Sequence, residues 1–124
     1  MKAKKGSISY YKFKLDPIFK KFIRIRDGRC MKCGTTEHIQ CSHTIPTSSG
    51  NRLRYDERNC ITLCLHCHLS WWHKNPLEAM EWFKDTFPED YEYLMSVKNE
   101  TLKFSFDMLR DKLAYYTEKI MGGQ

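Results

Sequence analysis

The sequence predicts an α+β fold, in which a small two-stranded centre is flanked by an N-terminal helix and by C-terminal helices. Two Cys-x2-Cys pairs enclose two short segments that suit β-strands, with a polar loop between them. Apolar residues recur at helical spacing before the first pair and again after the second. A chain of 124 residues is long enough for one domain with a modest core, so we expect one compact unit.

Composition excludes several classes of protein. Apolar residues make up 41% and charged residues 29% of the chain, which is typical of soluble globular proteins, and no apolar run is long enough to span a membrane. The N-terminus is charged and lacks the apolar stretch of a secretory signal, so we expect a cytoplasmic protein. The net charge of +6 suits a polyanionic partner, although a basic soluble protein would carry the same charge.

Residues 1–29 are predicted to form a basic arm followed by a helix. Residues 1–15 mix lysines with aromatic residues without a sustained period, which favours a phosphate contact and a solvated tail about equally. The helix is expected to be capped by Asp16, to have Pro17 in its first turn and to end at Gly28. Its apolar face would consist of Ile18, Phe22 and Ile25, and its solvated face of Lys20, Lys21 and Arg24.

Residues 30–73 form the predicted centre. The segment from Cys30 to Gly34 has the pattern of a metal-binding knuckle. We then expect a strand from Ile39 to Pro46, an exposed polar loop at 47–58 that includes Ser48, Ser49, Gly50 and Asn51, and a second strand from Ile61 to Leu63. A helix should begin within the second cysteine pair, with an inner side formed by Leu65, Leu69 and Trp72.

Residues 74–124 are predicted to form helices. Asn75, Pro76 and Glu78 combine a cap, a first-turn proline and a capping-box glutamate, so a helix begins there and ends at Pro88, before a shorter helix at 89–97. The last helix carries an apolar stripe that suits either packing on its own domain or a homodimer interface through residues 100–121. The stripe consists of Leu102, Phe106, Leu109, Leu113, Tyr116 and Ile120, and Gly122 and Gly123 end the helix.

The two cysteine pairs are the strongest motif in the chain. Four thiolates from Cys30, Cys33, Cys64 and Cys67 fit a closed, tetrahedral, structural Zn²⁺ site. Disulfide pairing is the weaker alternative, because the cytoplasm is reducing. A closed zinc site has no open coordination position, so any chemistry must come from other residues. The remaining cysteines, Cys41 and Cys60, are predicted to be small buried hydrophobic residues.

The polar residues around the cysteine pairs suggest a family. The order Cys-x2-Cys, Ser-His, Asn-x4-Cys-x2-Cys-His resembles the HNH (ββα-metal) endonuclease family over residues 30–73. The resemblance implies a zinc-stapled ββα-metal module that hydrolyses DNA phosphodiester bonds with one catalytic divalent cation, Mg²⁺ or Mn²⁺. It implies that His43 is the general base, that His68 is a ligand of the cation, and that Asn59 orders the loop and orients His43.

Ser42 departs from this family pattern. Many family members have Asp or His immediately before the base, where this chain has a serine, and a neutral hydroxyl is a weak ligand for a cation. We therefore expect help from Ser42 or from Asp56 in binding the cation. His73 lies five residues past His68 and is expected to face away from it on an α-helix.

A closer resemblance is to phage recombination nucleases of the NinG (Rap) type. It is carried by the segment Leu53-Arg54-Tyr55-Asp56-Glu57-Arg58-Asn59 ahead of the second cysteine pair. It implies cleavage of branched recombination or replication intermediates, such as Holliday-junction-like DNA, in the cytoplasm of a bacterial host. Two features differ: His68 stands where that group often has Asn, and the tail after Trp71 does not align with it.

Two other functions remain open at this point. One is an HNH restriction, homing or nicking endonuclease that acts on duplex DNA. The other is a non-catalytic zinc-finger DNA-binding module, which would explain the cysteines and the charge but not the histidines. The residues best suited to contact the DNA backbone are Arg52, Arg54 and Arg58, although one of them could instead pair with Asp56 or Glu57.

Overall fold

The computed structural model describes residues 7–47 and 52–122. Its centre is a two-stranded antiparallel sheet of β1 (Ile39–His43) and β2 (Cys60–Cys64), in which Cys41 pairs with Thr62 and His43 with Cys60. The helices are α1 (Ile8–Asp27), α2 (Pro76–Thr86), α3 (Pro88–Val97) and α4 (Phe106–Gly122). The predictions for residues 1–6, for the loop residues 48–51 and for Gly123 lie outside the described residues.

The sheet separates two hydrophobic clusters. Alternate residues of a strand point to opposite faces, and all five residues of β2 are buried, as expected for a strand covered on both sides. The first cluster includes Ile61 and Leu63 of β2 with residues of α2 and α3. The second includes Cys41 and Cys60 with residues of α1 and α4, so the prediction that these two cysteines are buried is confirmed.

Helix α1 begins at Ile8, so the predicted start at Asp16 and Pro17 is wrong. The side chain of Ser7 caps it by accepting a hydrogen bond of 3.1 Å from the backbone N–H of Tyr10. Pro17 lies inside the helix, and Gly28 ends it in a left-handed conformation as predicted. The fully buried face is also different from the predicted one: it consists of Leu15, Phe19 and Ile23, whereas Ile25 is exposed.

The loop between the strands is less exposed than predicted. Leu53 and Tyr55 are 5% and 3% exposed, and they pack into the first and second clusters respectively. Strand β1 ends at His43 rather than at Pro46, and a short 3₁₀ turn, Glu57–Asn59, leads into β2. Leu53 and Tyr55 therefore anchor the described part of the loop in the core.

The segment after β2 forms a π-helix at Cys67–Trp72 rather than a regular α-helix. Trp72 is buried as predicted, but Leu65 and Leu69 are about half exposed and do not form an inner side. The predicted helices α2 and α3 are present, with Phe83 and Leu94 buried, although the side chain of Asn75 makes no capping hydrogen bond.

Helix α4 packs against α1 of the same chain. Leu109, Tyr116 and Ile120 of the predicted stripe are buried, and the ring of Tyr116 lies 5.1 Å from that of Phe19. Leu102 precedes the helix. No helix in the described part of the chain is both long and apolar enough to cross a membrane.

Candidate active site

Four cysteines form a candidate zinc centre beside the sheet. The sulfur atoms of Cys30, Cys33, Cys64 and Cys67 all lie within 4.8 Å of one another. The Sγ atoms of Cys33 and Cys64 are 3.7 Å apart, close to the roughly 3.8 Å that two sulfurs have in a tetrahedron with Zn–S bonds of about 2.3 Å. The donor set and its spacing therefore fit a zinc ion, and the cluster can hold one.

The backbone around the cysteines favours thiolates. Gly34, at φ 85°, allows the chain to turn after the first pair, and the backbone N–H groups of Cys33 and Cys67 each point at a cysteine sulfur 3.4 Å away. Burial alone would raise the pKa of Cys30, but hydrogen bonds from the backbone lower it to about 7. Burial and the neighbouring thiols raise the pKa of Cys67. A bound cation would lower this pKa and favour the thiolate.

His43 lies at the end of β1, and a backbone carbonyl determines which of its ring nitrogens carries the hydrogen. Its Nε2 atom is 3.0 Å from the carbonyl oxygen of Arg54. A carbonyl can only accept, so Nε2 carries the hydrogen of the neutral ring and Nδ1 has the free lone pair. Burial lowers the pKa of His43, and the charges of Lys20 and Arg54 lower it further. The neutral ring, able to accept a proton, is therefore favoured.

His68 lies on the π-helix and is oriented by a residue of β1. Its Nδ1 atom is 2.8 Å from Oε1 of Gln40, an acceptor, so Nδ1 carries the hydrogen and Nε2 is available as a ligand. A hydrogen bond on one ring nitrogen that leaves the other free is the usual arrangement of a metal-binding histidine. Burial is the main cause that lowers the pKa of His68.

His73 lies next to His68, so the prediction that it faces away is wrong. The backbone N–H of His73 donates to the carbonyl of His68 over 3.1 Å, which is the i→i+5 bond of a π-helix. The wider turn places residues five apart above one another, and the two imidazole rings are 4.6 Å apart. Two imidazoles that were expected on opposite faces are therefore available to one ligand.

These histidines open into one cavity of about 560 Å³. Ser42 and Thr44 also line it, and they are 2% and 5% exposed. Neither hydroxyl has a hydrogen-bond partner among the described residues. Buried polar atoms normally have partners, so these two hydroxyls are available to water, a polar ligand or an ion in the cavity.

Asn59 is fully buried and acts as a brace for the loop. Its Oδ1 accepts from the backbone N–H of Ile45 at 2.8 Å, and its Nδ2 donates to the carbonyls of Ile45 and Leu53 at 3.0 and 3.2 Å. The carbonyl that contacts His43 belongs to Arg54, the next residue after Leu53. Asn59 therefore holds the backbone that orients His43, and none of its polar atoms is left for a metal.

Comparison with known proteins gives one match. The family described as bacteriophage lambda NinG protein matches residues 1–121, which is nearly the whole chain. The chain belongs to the NinG family. No curated protein and no solved structure matches it. The match covers α1 and α4 as well as the cysteine pairs, so the expectation that the tail after Trp71 does not align with this family is wrong.

Not all predicted site residues come together in this NinG-family protein. His43, His68 and Ser42 share the cavity, but Asp56 does not line it. The carboxylate of Asp56 instead accepts from the backbone N–H of Arg58 at 2.9 Å and from the hydroxyl of Tyr93. Asp56 is therefore a cap of the 3₁₀ turn and is not placed to assist His68.

The three arginines predicted to contact DNA are paired with carboxylates. Arg52 lies 3.1 Å from Glu100, Arg54 lies 2.6 Å from Asp16, and Arg58 lies 2.8 Å from Asp90. The alternative prediction, that one of these arginines forms an ion pair with Asp56 or Glu57, is wrong for the described residues. All three side chains remain partly exposed, so a phosphate contact would have to compete with these pairs.

Sequence reasoning did not assign three residues to the site of this NinG-family protein: Gln40, which orients His68, and His73 and Lys20, which line the cavity. Gln40 and Ser42 alternate along β1 and Thr44 follows its end, and such a polar row at a spacing of two residues was a signal that could have been used. His73 was expected to face away from His68, because a π-helix has no sequence signature of its own. Lys20 was assigned to a solvated face, since nothing in the sequence indicates that α1 borders this cavity.

Proposed function

We propose that this protein is a metal-dependent DNA endonuclease of the HNH type that hydrolyses phosphodiester bonds in branched recombination or replication intermediates. The observation that supports it most strongly is the hydrogen bond between His43 and the Arg54 carbonyl, which leaves Nδ1 as a base. The same cavity is lined by two further imidazoles. A base and candidate metal ligands in one basic protein are the parts that phosphodiester hydrolysis requires.

His43 would activate the water that attacks phosphorus. The Nδ1 lone pair accepts a proton from the water as the new oxygen–phosphorus bond forms and the bond to the 3′-oxygen breaks. The Arg54 carbonyl holds the opposite nitrogen and stabilises the imidazolium that results. Asn59 keeps this carbonyl in place and takes no part in the proton transfer.

Residues on both sides of the cavity suit a catalytic cation. Nε2 of His68, an imidazole nitrogen of His73 and the unpartnered hydroxyl of Ser42 would hold it. When bound, a divalent cation supplies polarisation of the phosphate and stabilisation of the departing 3′-oxygen. Mg²⁺ takes oxygen ligands, whereas imidazole suits first-row transition ions, so we expect Mn²⁺ to support activity at least as well as Mg²⁺.

A panel of four-way junction, fork, single-stranded and linear duplex DNA tests the proposal. Wild type with zinc bound should cleave branched DNA in Mn²⁺, and His43→Ala should reduce the rate by about 10²–10⁴-fold. His66→Ala is the matched control, because His66 is exposed and lies outside the cavity. Preference for linear duplex would instead favour a restriction, homing or nicking enzyme.

The alternative from another class is a zinc-containing DNA-binding module without catalysis. It would bind the same DNA panel with an unchanged affinity in His43→Ala. The absence of cleavage by folded wild type on every substrate, with Mg²⁺ and with Mn²⁺, would refute the endonuclease and leave this alternative. A homodimer through α4 would provide the two sites needed to cut opposed strands, and it would have to use exposed residues such as Tyr115 and Met121.

A further inference from the structure

Lys20 of α1 borders the cavity that holds the histidines. It lines this cavity together with His43 and His68, and it also lines a smaller cavity of about 110 Å³ that His43 borders as well. Among the described residues that form the larger cavity, it is the only lysine or arginine. Its positive charge reaches both rings, since it contributes to the lowered pKa of His43 and of His68, behind burial as the main cause.

The ammonium group of Lys20 is not used within the protein. It makes no hydrogen bond or ion pair with any residue in 7–47 or 52–122, although Asp16 lies one turn before it on the same helix. Asp16 is instead bound by Arg54 through two hydrogen bonds, of 3.3 and 2.6 Å. The carboxylate of Asp16 is therefore already paired, and Lys20 borders the cavity without a carboxylate partner among the described residues.

A second, independent feature indicates an anion at the same place. The Thr44 hydroxyl lines the cavity, is 95% buried and has no hydrogen-bond partner in the described part of the chain. A hydroxyl can donate to a phosphate oxygen, and an ammonium group is a strong point charge for the same ligand. An anion bound in this cavity would give both groups a partner.

We propose that Lys20 binds the scissile phosphodiester through contact between its Nζ and a non-bridging phosphate oxygen, with the Thr44 hydroxyl as a second donor. This inference rests on the proposed function and identifies how the site recognises its substrate. During hydrolysis the proton of the attacking water passes to His43 and the 3′-oxygen departs, while Lys20 forms and breaks no covalent bond. Its charge stabilises the negative charge that grows on the phosphate oxygens in the transition state. Helix α1 is then a wall of the active site.

Kinetics on a four-way junction with Mn²⁺ distinguish this role from a general surface charge. Lys20→Gln should lower kcat by about 10²-fold, with a smaller effect on KM, because the contact strengthens in the transition state. Lys20→Arg keeps the charge and should recover most of this loss. Lys21→Gln is the matched control: it removes the same charge from the adjacent position of α1, outside the cavity, and should resemble wild type.

The affinity for the four-way junction, measured with Ca²⁺ in place of Mn²⁺, tests the Lys20 contact without requiring cleavage. The binding constant for the same junction falls as salt is added. In Lys20→Gln the negative slope of its logarithm against log salt should become shallower by about 0.9, which corresponds to one lost phosphate contact, and in Lys21→Gln it should not change. Zinc content and thermal unfolding should be equal in all variants, since both lysines are exposed.

The outcomes separate this inference from the endonuclease proposal. If wild type cleaves but the two glutamine variants behave alike in kcat and in slope, the Lys20 contact is refuted and the endonuclease stands. If wild type binds the junction without cleaving it, the endonuclease fails, and the difference in slope alone decides whether Lys20 contacts phosphate. If wild type neither binds nor cleaves, both are refuted.

Discussion

At the scale of single residues, the site is determined by hydrogen bonds that select which nitrogen of each imidazole is free. The Arg54 carbonyl places the hydrogen of His43 on Nε2, and Gln40 places that of His68 on Nδ1. The two rings therefore present different atoms to the cavity, one suited to accept a proton and the other to bind a cation. Both partners are fixed by β1 and by the loop that Asn59 braces.

The pH dependence of the proposed cleavage should report the environment of His43. Its pKa lies below the ordinary 6.5, because burial and nearby positive charge disfavour the imidazolium. A base must be neutral, so the rate should be maintained at pH 6.5 and should fall only as the pH drops through the lowered pKa. We expect Lys20→Gln to raise this pKa and to move the acid limb of kcat/KM to higher pH. An acid limb above pH 6.5 in wild type would contradict the assignment.

Replacement of Asn59 should affect stability and activity together. Asn59→Ala removes the three hydrogen bonds of a fully buried side chain and leaves the backbone groups of Ile45 and Leu53 without these partners, so the free energy of unfolding should fall by about 2–4 kcal/mol. Chemical denaturation measures this loss. Asn75→Ala is the control, because the Asn75 side chain makes no capping hydrogen bond, and its unfolding should stay close to that of wild type.

At the scale of elements, two helices differ from regular α-helices in ways that build the site. The π-helix brings His73 to His68, and α1 continues through Pro17 to carry Lys20 along the cavity. Prolines normally end a helix, because the ring removes a hydrogen bond and clashes with the preceding turn. Here aromatic packing on both sides of Pro17 maintains the helix: Tyr11 contacts Phe106, and Phe19 contacts Tyr116.

Pro17→Ala should therefore stabilise the protein. Alanine restores the missing backbone hydrogen bond and removes the steric clash, which together cost about 3 kcal/mol in a helix interior, so part of that amount should be recovered. Thermal unfolding of the zinc-loaded protein measures the change. A lower melting temperature in Pro17→Ala would show instead that a bend at Pro17 is required for α1 to pack on α4.

At the scale of the whole molecule, the sheet and the candidate zinc centre hold together segments that are far apart in the sequence. The cysteine pairs connect the chain after α1 to the chain after β2, and the two clusters cover opposite faces of the sheet. Helices α1 and α4 pack on each other. The cavity is bordered by α1, β1, the π-helix and α2, so it exists only when these elements are assembled.

Removal of zinc should unfold the molecule rather than only inactivate it. Zinc binding to cysteine sites releases about 10–16 kcal/mol, which is as large as the whole stability of a typical domain. We expect one zinc per chain by elemental analysis, and loss of zinc and of cooperative unfolding in Cys64→Ser. Cys41→Ala is the control, because Cys41 is buried away from the cluster and its replacement should leave the zinc content unchanged. A folded, zinc-free wild type would contradict the structural role.

The sequence by itself determined the features that depend on local spacing. The Cys-x2-Cys pairs, the start of α2 at Pro76 and the end of α1 at Gly28 follow from turn and capping chemistry that acts over a few residues. The order of His43, Asn59 and His68 was sufficient to select candidate residues. It could not give their geometry, because that depends on hydrogen bonds to residues distant in the chain.

Only the tertiary structure decided which other residues face the cavity and which charges are free. Helix α1 continues through Pro17 because packing on α4 outweighs the local preference of proline, and the same packing brings Lys20 to His43. The widened turn at Cys67–Trp72 reverses the side on which His73 lies. Arg54 forms an ion pair with Asp16, so this carboxylate does not pair with Lys20, and Lys20 is available to a ligand in the cavity. Each is an interaction between segments, which no local pattern of residues encodes.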